Sequence, residues 1–115
     1  MKLYGIPNCG TVKKARAFLE SRGIAYDFHD FKKQGVSKAI IAGWMQQVGW
    51  QKLLKKTGPT WCQLPDEVKA CVKDDASALA LMLEKPNIIK RPVLEQDGKV
   101  LATGFAEAEY QALLP

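Results

Sequence analysis

One cysteine stands where an apolar segment gives way to a helix-forming run, and that placement has chemical consequences. Met1-Lys2-Leu3-Tyr4 leads into Gly5-Ile6-Pro7-Asn8-Cys9-Gly10-Thr11. Val12, Ala15, Phe18 and Leu19 then recur at helical spacing, with Lys13, Lys14, Arg16 and Glu20 between them. Arg22-Gly23 supplies a basic last turn and a helix stop. The pattern reads as strand, loop and helix, with Cys9 at the helix start. There the first backbone N–H groups lack intrahelical partners and the peptide dipoles sum to partial positive charge. Both favour a thiolate, and a cysteine so placed can have its pKa drawn from ~8.5 towards ~7 or below. Lys13 and Lys14 add positive charge one turn on, and Gly10 leaves no side chain beside the sulfur. The expectation is a nucleophilic thiolate at Cys9. The competing reading is a buried structural cysteine, since free cysteine is among the most buried residue types. The polar, glycine and proline neighbours of Cys9 argue for a loop edge instead.

The remaining chemistry-bearing residues are few. Cys62 and Cys71 bring the cysteines to three, and His29 is the sole histidine. There is no C-x-x-C, because Val12 fills the second slot after Cys9. A disulfide scaffold and a metal site are therefore not expected. Redox chemistry at Cys9 would need a second thiol from elsewhere: glutathione, a partner protein or a distant cysteine. Cys62 and Cys71 read as free thiols, with resolution of Cys9 as the alternative. His29 reads as structural rather than as a base.

The elements that must position Cys9 follow from the rest of the pattern. Residues 24–31 alternate, with Tyr26, Phe28 and Asp30 on one side and Asp27, His29 and Phe31 on the other. Strand, helix and strand in close succession suggest a parallel pair. Lys32-Lys33-Gln34-Gly35 reads as a turn. Ser37 caps a helix over 38–48, with Ile40, Ile41, Trp44, Met45 and Val48 on its apolar face. Short helices are predicted over 50–56, 65–72 and 76–84, the second with Pro65 in its first turn and the last capped by Asp74 or Asp75. Thr57-Gly58-Pro59-Thr60 is a break, and the tryptophans Trp44, Trp50 and Trp61 read as packing residues. Ile88 to Glu95 returns to extended structure, Asp97-Gly98 signals a hairpin, and Val100-Leu101-Ala102 pairs back. Phe105 to Leu114 forms a last helix, with Phe105, Ala108, Leu113 and Leu114 available to pack. Pro92 removes a donor, so a trans residue in mid-sheet is disfavoured and a cis bond is one option.

Composition bounds the class. The chain has 115 residues, 47% hydrophobic and 25% charged, which suits one domain with a real core. No apolar run is long enough to span a bilayer, and no charged-then-apolar leader opens the chain, so the expected compartment is the cytoplasm. The net charge of +5 suits anionic small molecules or acidic protein surfaces. The lysines form no arginine-rich block, so a nucleic-acid partner is not expected.

Taken together, Tyr4-Gly5-Ile6-Pro7-Asn8-Cys9-Gly10-Thr11, Arg91-Pro92, Asp97-Gly98 and Thr103-Gly104-Phe105 resemble the arsenate reductase (ArsC-type) family. Within it the match is to a YffB-like branch, with Spx as a relative, and it covers the whole chain. The resemblance implies an α/β, thioredoxin-like (glutaredoxin-like) fold with a four-stranded mixed sheet and an inserted helical subdomain. It implies a single domain whose core is about 1–36 and 87–115, with the insertion at about 37–86. It also implies Cys9 at the first helix and a cis peptide before Pro92.

Of the three arginines with which the family's arsenate reductases bind oxyanion, one matches Arg91. A second falls at Lys55, which keeps the charge but loses the planar fork. The third falls near Thr103-Gly104, where no charge stands. A histidine preceding the cysteine in those enzymes is Gly5 here. The branch resemblance implies instead a glutathione-dependent thiol-disulfide oxidoreductase with glutathione as co-substrate, no metal, and a possible protein disulfide as substrate. Cys9 and Arg91 are its candidate catalytic residues. Its candidate glutathione contacts are Asn8, Thr11, Lys13, Lys55, Arg91, Pro92, Thr103 and Gly104, with Asn8 and Thr11 towards the sulfur. The alternatives are arsenate reductase-like activity and an Spx-like protein-binding regulator without catalysis.

Overall fold

The computed structural model describes residues 1–114. In chain order the elements are β1 (Lys2–Gly5), α1 (Gly10–Ser21), β2 (Asp27–Asp30), α2 (Phe31–Gln34), α3 (Lys38–Val48), α4 (Trp50–Leu53), α5 (Pro59–Cys62), α6 (Asp66–Cys71) and α7 (Asp75–Glu84). A 3-10 turn (Pro86–Ile88), β3 (Val93–Gln96), β4 (Lys99–Thr103) and α8 (Glu107–Leu113) follow. The chain divides into two units, one of Met1–Gly35 with Arg91–Pro115 and one of Val36–Lys90.

In the first unit the sheet order is β2-β1-β3-β4. The β1–β2 pair is parallel, as the strand–helix–strand spacing predicts, and β1–β3 and β3–β4 are antiparallel. Leu3 pairs with Phe28 and Leu94, and Leu94 with Ala102, so these side chains share one face. That face carries the core: Leu3, Leu94 and Ala102 pack with Ala15, Phe18 and Leu19 of α1 and with Tyr110 and Leu114 at the C-terminal end. The buried positions of α1 are the predicted apolar ones, Val12, Ala15, Phe18 and Leu19. Full burial of a side chain such as Leu3 or Leu19 stabilises by roughly 1.5–3 kcal/mol. Phe18 and Phe105 each meet the Tyr110 ring edge-on, at centroid distances of 5.7 and 4.7 Å, and burial pushes the Tyr110 hydroxyl pKa up.

The hairpin signal is realised: Asp97 and Gly98 have φ of 53° and 79°, the pair of positive values that a type I′ turn requires. In this unit three expectations need correction. The second strand is only Asp27–Asp30, because the Asp30 carboxylate accepts from the Lys32 N–H at 2.8 Å and starts the one-turn helix α2, where a turn was expected. The return strand begins at Val93, because Pro86–Ile88 coils as a 3-10 turn and Pro92 cannot donate to a ladder. The last helix starts at Glu107 rather than Phe105, which rotates its buried stripe onto Tyr110 and leaves Ala108 and Leu113 exposed.

The second unit is helical. The Ser37 hydroxyl caps α3 by accepting from the Ile40 N–H at 3.2 Å, and α3 buries Ile41, Trp44 and Met45. Asp74 caps α7 in a reciprocal box with Ser77. The helix expected over 50–56 ends at Leu53, because Leu54 bridges to Ile89 and the Lys55 N–H donates to the Ile88 carbonyl at 2.8 Å. The expected break at 57–60 contains the start of the one-turn α5. Trp44 is buried in α3, whereas Trp50 and Trp61 are half-buried and both face the Lys56 ammonium, at 5.7 and 5.5 Å.

Gly5 closes β1 against α1. A side-chain carbon there would lie 2.7 Å from Val12 Cγ2, and Val12 is fully buried and stiff about χ1. Gly5→Ala is therefore expected to lower stability by about 1–3 kcal/mol through overpacking. Urea titration of the two proteins checks this, and an unchanged midpoint would show that the junction yields freely.

Candidate active site

The loop from β1 to α1 is a tight turn. The Cys9 N–H donates to the Ile6 carbonyl at 3.3 Å, which places Pro7 and Asn8 at the two central positions. Proline at the first of these supplies a preset φ. Cys9 is then the N-cap of α1, with extended φ and ψ of −91° and 126°, and its carbonyl accepts from the Lys13 N–H at 2.9 Å. The sulfur forms no formal capping hydrogen bond. The residue is half-buried, and a side-chain carbon at the next residue, Gly10, would meet nothing within 4 Å, so the space at Gly10 is open.

The electrostatics at the sulfur are two-sided. Burial is the largest single influence and opposes the thiolate. The Val12 N–H, the Arg91 guanidinium and the Thr11 N–H together outweigh it and hold the Cys9 thiol below its ordinary pKa. Two of these donors are orphan groups of the first helical turn, and the third is a fixed cation. The positive charge that acts on the sulfur is that of Arg91. Lys13 projects from α1 as an exposed residue.

Arg91 and Pro92 arrive from the other side of the chain. Their peptide bond is cis. The Gly104 N–H donates to the Pro92 carbonyl at 2.8 Å, with Gly104 at φ +76°, where glycine is at ease. Thr103 pairs with Val93 at the end of β4. Cys9, Thr11, Arg91, Pro92, Thr103 and Gly104 thus all belong to the first unit, and Cys9 with Thr11 and Arg91 forms one electrostatic cluster. Asn8 is exposed in the turn. Lys55 lies in the second unit, where its aliphatic stem covers Gly58. Cys62 and Cys71 are exposed free thiols of that same unit. His29 donates to the Gly35 carbonyl at 2.7 Å, and its ring lies 4.8 Å from that of Tyr4, its neighbour across the sheet. That is the structural role expected of it. Tyr4 in turn donates to Glu95 at 3.4 Å, and burial with the nearby carboxylate pushes its hydroxyl up to about 12.

Two contributions escape a reading of residue types. The Val12 N–H acts on the sulfur through its backbone, so the valine side chain gives no hint of it. Thr11 also lines a groove of about 730 Å³ together with Lys14, Phe18, Ser21, Phe105 and Glu107. The i, i+3 spacing of Thr11 and Lys14 signals the α1 wall, but the wall from Phe105 and Glu107 depends on tertiary packing.

A depressed thiol pKa fixes the sign of the pH dependence. The thiolate-linked stability is fully present above the ordinary thiol value and is lost as pH falls through the lower folded value. In a Cys62→Ser, Cys71→Ser background, iodoacetamide alkylation of Cys9 should rise with pH to a midpoint below that of a free thiol. Arg91→Met should move the midpoint upwards. Midpoints at the free-thiol value in both proteins would remove the assignment.

The ArsC family matches residues 4–113. The solved structure of a YFFB protein superposes with a TM-score of 0.92 at 43% identity, covering 99% of this chain and 98% of that one. An arsenate reductase (ArsC) related protein from Brucella melitensis gives a TM-score of 0.79 at 48% identity, over 96% and 91%. The global transcriptional regulator Spx 1 of Lactococcus lactis is 28% identical over 98% of this chain and 88% of its own. With a mixed four-stranded sheet, helices on one face of it and a thiol at the start of α1, the chain is a member of the ArsC family with a thioredoxin-like fold.

Proposed function

We propose that the protein is a glutathione-dependent thiol-disulfide oxidoreductase that works through the single nucleophile Cys9, in the cytoplasm, where glutathione is the ambient thiol pool. The observation that carries this reading is the bias of Cys9 towards thiolate beside open space, with no other cysteine in its unit. A lone nucleophilic thiol can accept a disulfide bond but needs an external thiol to release it.

The reaction balances on that basis. The Cys9 thiolate attacks the glutathionyl sulfur of a mixed disulfide R–S–S–G. A Cys9–S–S–G bond forms, and R–S⁻ leaves and takes a proton from water. The thiolate of a second glutathione attacks the glutathionyl sulfur of the adduct, forms oxidised glutathione and returns Cys9 as thiolate. The sum is R–S–S–G plus glutathione giving R–SH plus oxidised glutathione. The substrate is reduced by two electrons and two glutathiones are joined. Arg91 keeps Cys9 ionised as attacking and leaving group. It is also assigned to a carboxylate of the tripeptide. Asn8, Thr11, Pro92, Thr103 and Gly104 are assigned to the tripeptide backbone and the sulfur.

Two relatives give the other readings their footing. Likeness to an arsenate reductase related protein favours oxyanion reduction. Here, however, Gly5 stands where the resemblance to arsenate reductases implies a histidine, and the Val12 contact leaves no room for a side chain there. Likeness to Spx 1 favours a protein-binding role, which requires no turnover.

Mass spectrometry after exposure to oxidised glutathione separates these. A 1:1 adduct on Cys9 is expected well below pH 8, absent from Cys9→Ser and released by reduced glutathione. The same variant should lose turnover of a glutathione mixed disulfide. If Cys9 stays unmodified, or reacts no faster than Cys62 and Cys71, the regulator reading takes its place.

A further inference from the structure

The groove beside Thr11 has a composition that the thiol chemistry does not explain. Its α1 wall carries Thr11, Lys14 and Ser21, its far wall carries Glu107, and Phe18 and Phe105 supply the apolar surface. At about 730 Å³ it falls within the range of small-ligand sites, ~300–1,000 Å³. Two of its residues are tied to the thiol centre. Thr11 lines the groove while its N–H acts on the Cys9 sulfur. Phe105 follows Gly104, which is tied to the Pro92 carbonyl at 2.8 Å.

The charges narrow the occupant. An acidic segment would meet Glu107, and a basic one would meet Lys14. A group that carries an ammonium and a carboxylate on one carbon satisfies both walls, and its methylenes can lie on Phe18 and Phe105. Lys14 stands three residues beyond Thr11, about 4.5 Å along the helix axis, within reach of a carboxylate about eight bonds from a sulfur held at Cys9. Building on the glutathione reading above, we infer that this groove binds the γ-glutamyl end of glutathione, with Lys14 on its α-carboxylate and Glu107 on its α-ammonium. Lys14 and Glu107 are then specificity-determining residues for the glutathionyl half of the substrate. Lys14, rather than Lys13, is the lysine of α1 that meets the tripeptide.

The test uses a ligand that cannot react. S-methylglutathione and S-methylcysteinylglycine, which lacks the γ-glutamyl group, are titrated into the full chain and followed by amide chemical shifts. The intact tripeptide should bind about tenfold more tightly, the loss expected when a charge-assisted contact is removed. Its shifts should include Lys14, Phe18 and Phe105. Lys14→Met and Glu107→Gln should each reduce the tenfold preference severalfold. Both residues are exposed, so folding is not at risk. Equal binding of the two ligands, or a preference unchanged in both variants, overturns the inference even if Cys9 still forms its glutathione adduct. A preference that survives without any adduct upholds the groove and removes the reductase reading. Neither binding nor adduct removes both.

Discussion

Strand β1 is paired on both edges, and the geometry of the thiol depends on that double pairing. With β2 on one side and β3 on the other, the end of β1 at Gly5 is held in place. The packing of Val12 against Gly5 then fixes where α1 starts relative to the sheet. The same pairing brings the chain preceding β3 alongside, and with it Arg91. A cysteine in the first turn of a helix gains two orphan N–H groups from local structure alone. It gains a guanidinium only because the strand that follows Arg91 is the antiparallel neighbour of the strand that precedes Cys9.

Burial plays two opposing parts at this centre. Half-covering the sulfur penalises its ionised form, and this is the largest single influence on it. The same exclusion of water strengthens the attraction of the thiolate to Arg91 and to the backbone donors. The net direction is towards thiolate because several donors converge on one atom. Open space at Gly10 keeps that atom within reach of a substrate. A fully exposed cysteine would escape the penalty and lose the leverage.

The periodicity of α1 was legible because its buried residues, Val12, Ala15, Phe18 and Leu19, all face a single sheet surface. The hairpin was legible because Asp97-Gly98 is one of few pairs that tolerate two positive φ values. Boundaries were less legible where competing hydrogen bonds decide them. Asp30 ends β2 by capping α2, and Ile88 and Ile89 take over the backbone groups that would have extended α4 beyond Leu53. The register of α8 was misread because Phe105 belongs to the approach and Tyr110 to the core. Both are aromatic, and their separation of five residues suits more than one helical phase.

The sequence by itself determined the order of the strands and longer helices, the position of Cys9 at a helix start, the lack of a second thiol close to it in the chain and, through resemblance, the family. These rest on local properties: side-chain periodicity, turn chemistry and the spacing of short motifs. Tertiary structure decided which cation reaches the sulfur, the structural partners of His29, and the wall that Phe105 and Glu107 build opposite α1. Each of these joins residues that are separated along the chain and meet only through packing. Cys9 and Arg91 meet because strand pairing holds their elements together, and no local propensity encodes that meeting.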